Sequence, residues 1–327
     1  MAAGKTLGAL KLSRVIGSGT YGTVWEAQDE NRQVVAVKET RFGAGAEEAA
    51  PGHVPKSFGR ERAALMELKG HENVVRVLDT LKTERSVALV LEYVDSDLQT
   101  LLRGFRQRGV KPARREVACI MRQLLEAVAY MHALGWAHRD IKCANVLVSA
   151  GNVVKLADFG MARRREAAAA PGGGDAARMT AVVVTLWYRA PELLAPGGTT
   201  YDARAVDMWS VGCILAEMML GEPLYPGQNE LHQVRLIKEL SRAALHARIM
   251  NKHDSEGARA VADLACRLLE HDPARRLTAG QALEHDFFKL DEYPVEPHEL
   301  EVRAFPPPVS AAPAAKPPTT RPPPLVL

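Results

Sequence analysis

Cysteine is scarce in this sequence. Four of 327 residues are Cys, and Cys119, Cys143, Cys213 and Cys266 are scattered without metal-ligand spacing. They read as free thiols in a reducing compartment, so the expected setting is cytoplasmic, nuclear or both. An excess of charge of either sign is missing too. Forty-two Lys and Arg against 39 Asp and Glu leave a net charge of +3, too small to argue for nucleic-acid or membrane binding. No run of about eighteen apolar residues occurs, so no membrane-spanning helix is expected. The stretch MAAGKTLGAL has no long apolar core, so no signal peptide is expected. What remains is ordinary for a soluble globular chain, 47% hydrophobic and 25% charged, and long enough for one large domain or two lobes.

The pattern changes along the chain. VVAVK (34–38) and VALVLEYV (87–94) are short β-branched and aliphatic runs that predict strands. Between them FGRERAALMELKGH (58–71) has helical spacing. From Glu116 onward EVACIMRQLLEAVAYMH sets Val117, Ile120, Met121, Leu124, Leu125 and Val128 on one helical face. DMWSVGCILAEMML (207–220) is apolar almost all round and predicts a helix inside a core, and residues 264–288 predict another helical region. The fold class is therefore α+β and bilobal: a β-rich N-lobe over about 10–94 and an α-rich C-lobe over about 95–290. Residues 1–9 read as an extension. Residues 163–178 (RRREAAAAPGGGDAAR) predict a flexible loop. Residues 291–327 hold 11 of the 20 prolines and predict an extended, disordered tail.

Several short motifs carry chemistry. GSGTYGTV (17–24) fits G-x-G-x-x-G-x-V, in which glycines let backbone N–H groups approach phosphate oxygens. A dinucleotide-binding loop would be followed by a helix. Here TVWEAQ continues as strand, which favours a flap over phosphates. Lys38 ends VVAVK, and Glu61 on the next helix is a candidate partner. HRDIKCANVL (138–147) packs His, Arg, Asp, Lys and Asn onto a turn before a short apolar strand. DFG (158–160) follows the strand VVKLA and suits a metal ligand beside a movable apolar plug. APE (190–192) closes the segment.

In this order and at these distances, the set resembles the eukaryotic protein kinases over residues 10 to about 290. The resemblance implies a protein kinase fold and ATP and Mg²⁺ as cofactors. By it, Asp140 is the catalytic base and Lys142 neutralises charge on the transferring phosphoryl group. Asn145 and Asp158 hold Mg²⁺ ions, and Lys38 contacts the ATP phosphates while paired to Glu61. It assigns Ile16, Gly17, Ser18, Gly19, Thr20, Tyr21, Gly22, Thr23, Val24, Glu92 and Val94 to the nucleotide site. His138 is expected to pack on Phe159.

VVTLWYRAPELL (183–194) resembles the activation segment of cyclin-dependent kinases, and HRDIK is the Ser/Thr form. This implies protein substrates, with Arg189 favouring proline after the phosphoacceptor. Thr180 aligns with an activating phosphothreonine received by Arg60, Arg139 and Arg163, and Thr20 and Tyr21 with inhibitory phosphorylation sites. Arg276 is expected to pair with Glu192. The chain departs from the family at three places. The helix signature PSTAIRE reads PKSFGRE (55–61), which leaves the identity of any cyclin partner open. The stretch Pro226–Asp272 is shorter than in typical members, and HRDIKPEN reads HRDIKCAN. The divergence resembles plant F-type members. An inactive kinase-shaped scaffold, a kinase-activating kinase and a kinase of the RNA polymerase tail remain open beside the direct reading. The complete catalytic set favours an active enzyme.

Overall fold

The computed structural model describes residues 6–19, 22–42, 54–164, 185–195, 201–251, 256–290 and 297. The expectations placed on Thr20, Tyr21, Thr180, most of the loop after Arg164 and the proline-rich tail lie outside these residues.

Strands β1 (Thr6–Leu7), β2 (Leu10–Gly19), β3 (Gly22–Gln28), β4 (Val34–Arg41), β5 (Val77–Lys82) and β6 (Ser86–Glu92) form one antiparallel sheet in the order β1-β2-β3-β4-β6-β5. Side chains of a strand alternate between faces. Val35 and Val37 therefore pack into a small cluster with Leu10, Leu12, Ala27 and Val90. Ala36 and its face-mate Lys38 turn to the other side, towards helix α1 (Lys56–Leu68). The sequence pattern ended this strand at Lys38, but it runs on to Arg41, and Lys38 sits mid-strand between Val24 and Leu89. Two polar residues hid the continuation. Glu39 is buried but accepts a hydrogen bond from Ser86 Oγ at 3.1 Å, so the ladder tolerates it. Gly22, at φ 134°, has no alternative: a Cβ there would run into the Glu39 carbonyl.

Helix α1 buries Phe58, Glu61, Ala64, Leu65 and Leu68 along one stripe. That packing offsets Gly59, which costs a helix interior about 1 kcal/mol relative to Ala.

The second half is mostly helical. A two-residue strand β7 (Ser96–Asp97) leads into α2 (Leu98–Gln107), whose first turn Asp97 caps through Thr100 N–H. Then come α3 (Arg114–Ala133), β8 (Trp136–Ala137), β9 (Val146–Val148), β10 (Val154–Leu156) and β11 (Arg163–Arg164). The rest is α4 (Pro191–Leu194), α5 (Ala203–Leu220), α6 (Glu230–Glu239), α7 (Arg242–Met250), α8 (Glu256–Leu268) and α9 (Ala279–Leu283). As its composition predicts, α5 is buried nearly all round. Gly212 lets α8 approach it: a Cβ there would stand 2.9 Å from Leu268 and Leu269 side chains. The helical region expected over 264–288 is broken instead. α8 stops at Leu268 before Pro273, and Thr278 starts α9 with a capping box to Gln281. The large core runs from α1 and the inner face of β6 through α3 and α5 to α8. The site lies where this core meets the sheet.

Candidate active site

Lys38 is where strand and helix meet. Its Nζ donates to both Glu61 oxygens at 2.7 Å and to Asp158 Oδ1 at 2.6 Å. Burial works against the Lys38 charge, but Glu61 and Asp158 together outweigh it, and the ammonium is held well above its ordinary pKa. Burial also raises the Glu61 carboxyl, and Lys38 only partly offsets this. For Asp158 the balance reverses: burial raises it, yet Lys38 holds it below the ordinary carboxylate value. The result is a buried cation fixed by two carboxylates from different elements. Asp158 adopts φ 65°, a left-handed conformation uncommon for a non-glycine residue. It sits between β10 and a 3₁₀ turn at Phe159–Met161.

The loop that carries His138, Asp140, Lys142 and Asn145 lies between β8 and β9. Asp207 of α5 anchors it from below. Its Oδ1 accepts from Arg139 N–H at 2.7 Å, its Oδ2 accepts from His138 N–H at 2.9 Å, and His132 Nε2 lies 2.9 Å from the same Oδ2. This clamp holds Arg139, the residue before Asp140, at φ 69°. His138 is fully buried against Phe159, ring centroids 4.7 Å apart. Its Nε2–H donates to Ala157 O at 3.0 Å, and its Nδ1 accepts from Asp140 N–H at 3.2 Å. It is a brace, as expected. Asp140 Oδ2 accepts from Lys142 Nζ at 2.7 Å and from Asn145 Nδ2 at 3.2 Å. Asp140 Oδ1 is buried with no hydrogen-bond partner among the described residues. Because Asn145 Nδ2 also donates to Asp140 O at 2.8 Å, the amide is oriented and its oxygen is the atom left for a cation. Lys38 occupies only one Asp158 oxygen. Hard oxygen donors of this kind suit Mg²⁺.

The glycine loop is the β2–β3 hairpin. Gly17, Ser18 and Gly19 end β2, and Gly22, Thr23 and Val24 begin β3, with Ile16 38% exposed beside them. Glu92 and Val94 follow at the end of β6. The Glu92 side chain pairs with Lys155 at 2.9 Å and accepts from Arg76 N–H at 2.8 Å. Lys155 of β10 also donates to Glu72 O, so the two halves are tied at the hinge.

Arg60 and Arg139 converge on the turn after Asp158, donating to Gly160 O at 3.3 Å and Met161 O at 3.4 Å. Arg163 follows at the surface in β11. Arg189 is nearly buried and pairs with Glu230 at 2.6 Å. Arg276 is fully buried and grips both Glu192 oxygens at 2.7 and 3.1 Å, as expected. A further cluster joins the β8–β9 loop to this segment: Glu217 Oε2 accepts from Tyr188 OH at 2.6 Å and from Cys143 Sγ at 3.5 Å. Burial pushes the Cys143 thiol well up, which disfavours its thiolate form. Asp207, Glu217 and Lys155 escaped the motif-based reading. The signal for the first two was present: they are the acids of an otherwise apolar helix.

The family model for the protein kinase domain matches residues 10–288. Cyclin-dependent kinase 10 of Bos taurus is 37% identical over 314 residues, covering 88% of this chain and 81% of that protein. Cyclin-dependent kinase 4 of Rattus norvegicus is 38% identical over 303 residues, covering 85% and 95%. Among solved structures, a chain of the CAK complex of Chaetomium thermophilum bound to ATP-γ-S superposes with a TM-score of 0.74 at 31% identity, covering 89% of this chain and 94% of that one.

Proposed function

The chain belongs to the protein kinase family, in its cyclin-dependent branch, and from that premise we propose that it transfers the γ-phosphate of Mg-ATP to serine or threonine hydroxyls that precede proline. The observation that carries the proposal is Asp140. One of its oxygens is held by Lys142 and Asn145, and the other is buried without a partner among the described residues. A carboxylate oxygen so placed accepts the proton of an incoming hydroxyl. Lys142, 2.7 Å from the same carboxylate, offsets negative charge on the group in transfer. Lys38 draws the phosphates into line while Glu61 keeps it from swinging onto Asp158 alone. Phosphoryl transfer asks mainly for such positioning and charge neutralisation. Asn145 and Asp158 would hold Mg²⁺, which supplies further neutralisation of phosphate charge when bound.

Selectivity for proline follows from Arg189, held by Glu230 beside the end of the activation segment. Phosphorylation of Thr180 is the proposed switch. Arg60 and Arg139 already meet at the turn after Asp158, with Arg163 close by in sequence, and planar guanidinium groups suit a phosphate. The names of the relatives and the CAK complex support a protein partner, with a cyclin as the first candidate. PKSFGRE leaves its identity open, and four buried thiols support a cytoplasmic or nuclear setting. The complete catalytic set favours this reading over an inactive scaffold. The test is a peptide pair. A Ser-Pro peptide is expected to exceed its Ser-Ala counterpart at least about tenfold in kcat/KM, a difference of about 1.4 kcal/mol. Equal values would remove the chain from the proline-directed group.

A further inference from the structure

Glu67 stands in the last turn of α1, where a negative charge opposes the helix dipole and where the turn itself holds no basic residue, Lys69 following as the C-cap. A residue that breaks a local rule in this way needs a reason elsewhere. The reason is on the opposite lobe. Glu67 Oε2 accepts a hydrogen bond from the indole Nε1–H of Trp136 at 2.7 Å, and Glu67 Oε1 pairs with Arg164 Nη1 at 3.0 Å. Trp136 and Arg164 are direct cross-strand partners on the β8–β11 ribbon. Trp136 is 5% exposed, and a buried indole N–H requires an acceptor. An aliphatic side chain would fill the pocket without reaching the helix.

Arg60 lies about two turns earlier on the same stripe and donates to Gly160 O. Glu61, the partner of Lys38, sits beside it. α1 is thus fastened at two points, in its first half to the turn after Asp158 and in its last turn to the ribbon that flanks the catalytic loop. We propose that Glu67, Trp136 and Arg164 form a clasp that positions α1, so that Glu61 is held on Lys38 by the chain's own contacts. The three are positioning residues, since none of them touches the reacting groups. The proposal rests on the kinase reading for its effect on turnover but not for its effect on the helix.

The test compares the full chain with Trp136→Phe, Glu67→Ala, Glu67→Gln and Arg164→Ala, by hydrogen exchange and by peptide kinetics with Mg-ATP. Trp136→Phe and Glu67→Ala are expected to speed exchange across residues 56–68 while α5 stays protected. They are expected to lower kcat about fivefold with peptide KM within about twofold. Arg164→Ala, at an exposed position, is expected to give the same pattern at about twofold. Glu67→Gln keeps an oxygen for the indole and is expected to recover most of the loss in Glu67→Ala. Recovery of none would overturn the part given to Trp136. Wild-type exchange over 56–68 in both Trp136→Phe and Glu67→Ala would overturn the clasp. If the wild-type chain transfers no phosphate, the kinase reading fails, and the exchange data still decide the clasp.

Discussion

Replacing Asp207 by Asn removes one charge from a site with 0% exposure and is expected to be far from conservative. The carboxylate accepts from two successive backbone N–H groups, at 2.7 and 2.9 Å. An amide has one oxygen and one NH₂, so whichever way it turns, an NH₂ faces a backbone N–H. One charge-assisted bond is lost, about 1.5–3 kcal/mol, and the other weakens to a neutral bond. The N–H left facing a donor adds a buried unsatisfied group. Together these cost about 3–5 kcal/mol, which matches the breaking of a buried charged contact. For a domain of this size that lowers Tm by roughly 6–20 °C. The effect on turnover has a separate cause. Arg139 is held at φ 69° by this clamp, in a conformation that costs about 1–2 kcal/mol. Released, it relaxes and carries Asp140, the next residue, out of line. A shift of about 1 Å at a catalytic group costs about a hundredfold in rate. Calorimetry and peptide kinetics at a temperature well below the mutant's Tm separate the two effects. A Tm within about 2 °C of wild type, with kcat/KM within about threefold, would refute the reasoning.

Two other predictions concern Asp158 and Thr180. Burial raises the Asp158 carboxyl, but Lys38 at 2.6 Å outweighs it and the pKa lies below the ordinary 3.8. A depressed folded pKa gives stability that is present above the unfolded value and lost as pH falls through the folded one. The difference in urea midpoint between wild type and Asp158→Asn is therefore expected to hold at pH 6 and to move against the wild type below 3.8. A difference constant with pH would contradict the assignment. For Thr180, treatment with an activating kinase is expected to raise wild-type activity but not that of Thr180→Ala. Equal activities would remove Thr180 as the switch.

The parts of the site that are contiguous in the chain are legible in the amino-acid sequence itself. HRDIKCAN, DFG and APE carry residue types whose chemistry is local, and their order places Asp140, Lys142, Asn145 and Asp158. The partners Lys38–Glu61 and Arg276–Glu192 are legible through the family resemblance, and the structure brings both pairs within 2.7 Å. What escapes depends on burial. Asp207 and Glu217 look like stray acids until α5 is seen to run beneath the catalytic loop. Glu39 and Thr40 look like the end of a strand because their burial is a tertiary fact. The break at 268–279 turns on Pro273 and the Thr278 cap, which compete with a continuous apolar pattern.

The central claim is that Asp140 receives the proton of a hydroxyl that attacks ATP. It is tested most directly by following ³²P transfer from γ-labelled Mg-ATP to a Ser-Pro peptide by the purified, Thr180-phosphorylated chain and by its Asp140→Asn variant. The amide keeps the volume and the contact with Lys142 but no longer accepts a proton as a base. The account predicts that wild type labels the peptide on serine, and that Asp140→Asn falls more than about a hundredfold in kcat with Tm little changed. Labelling by Asp140→Asn at the wild-type rate would contradict it.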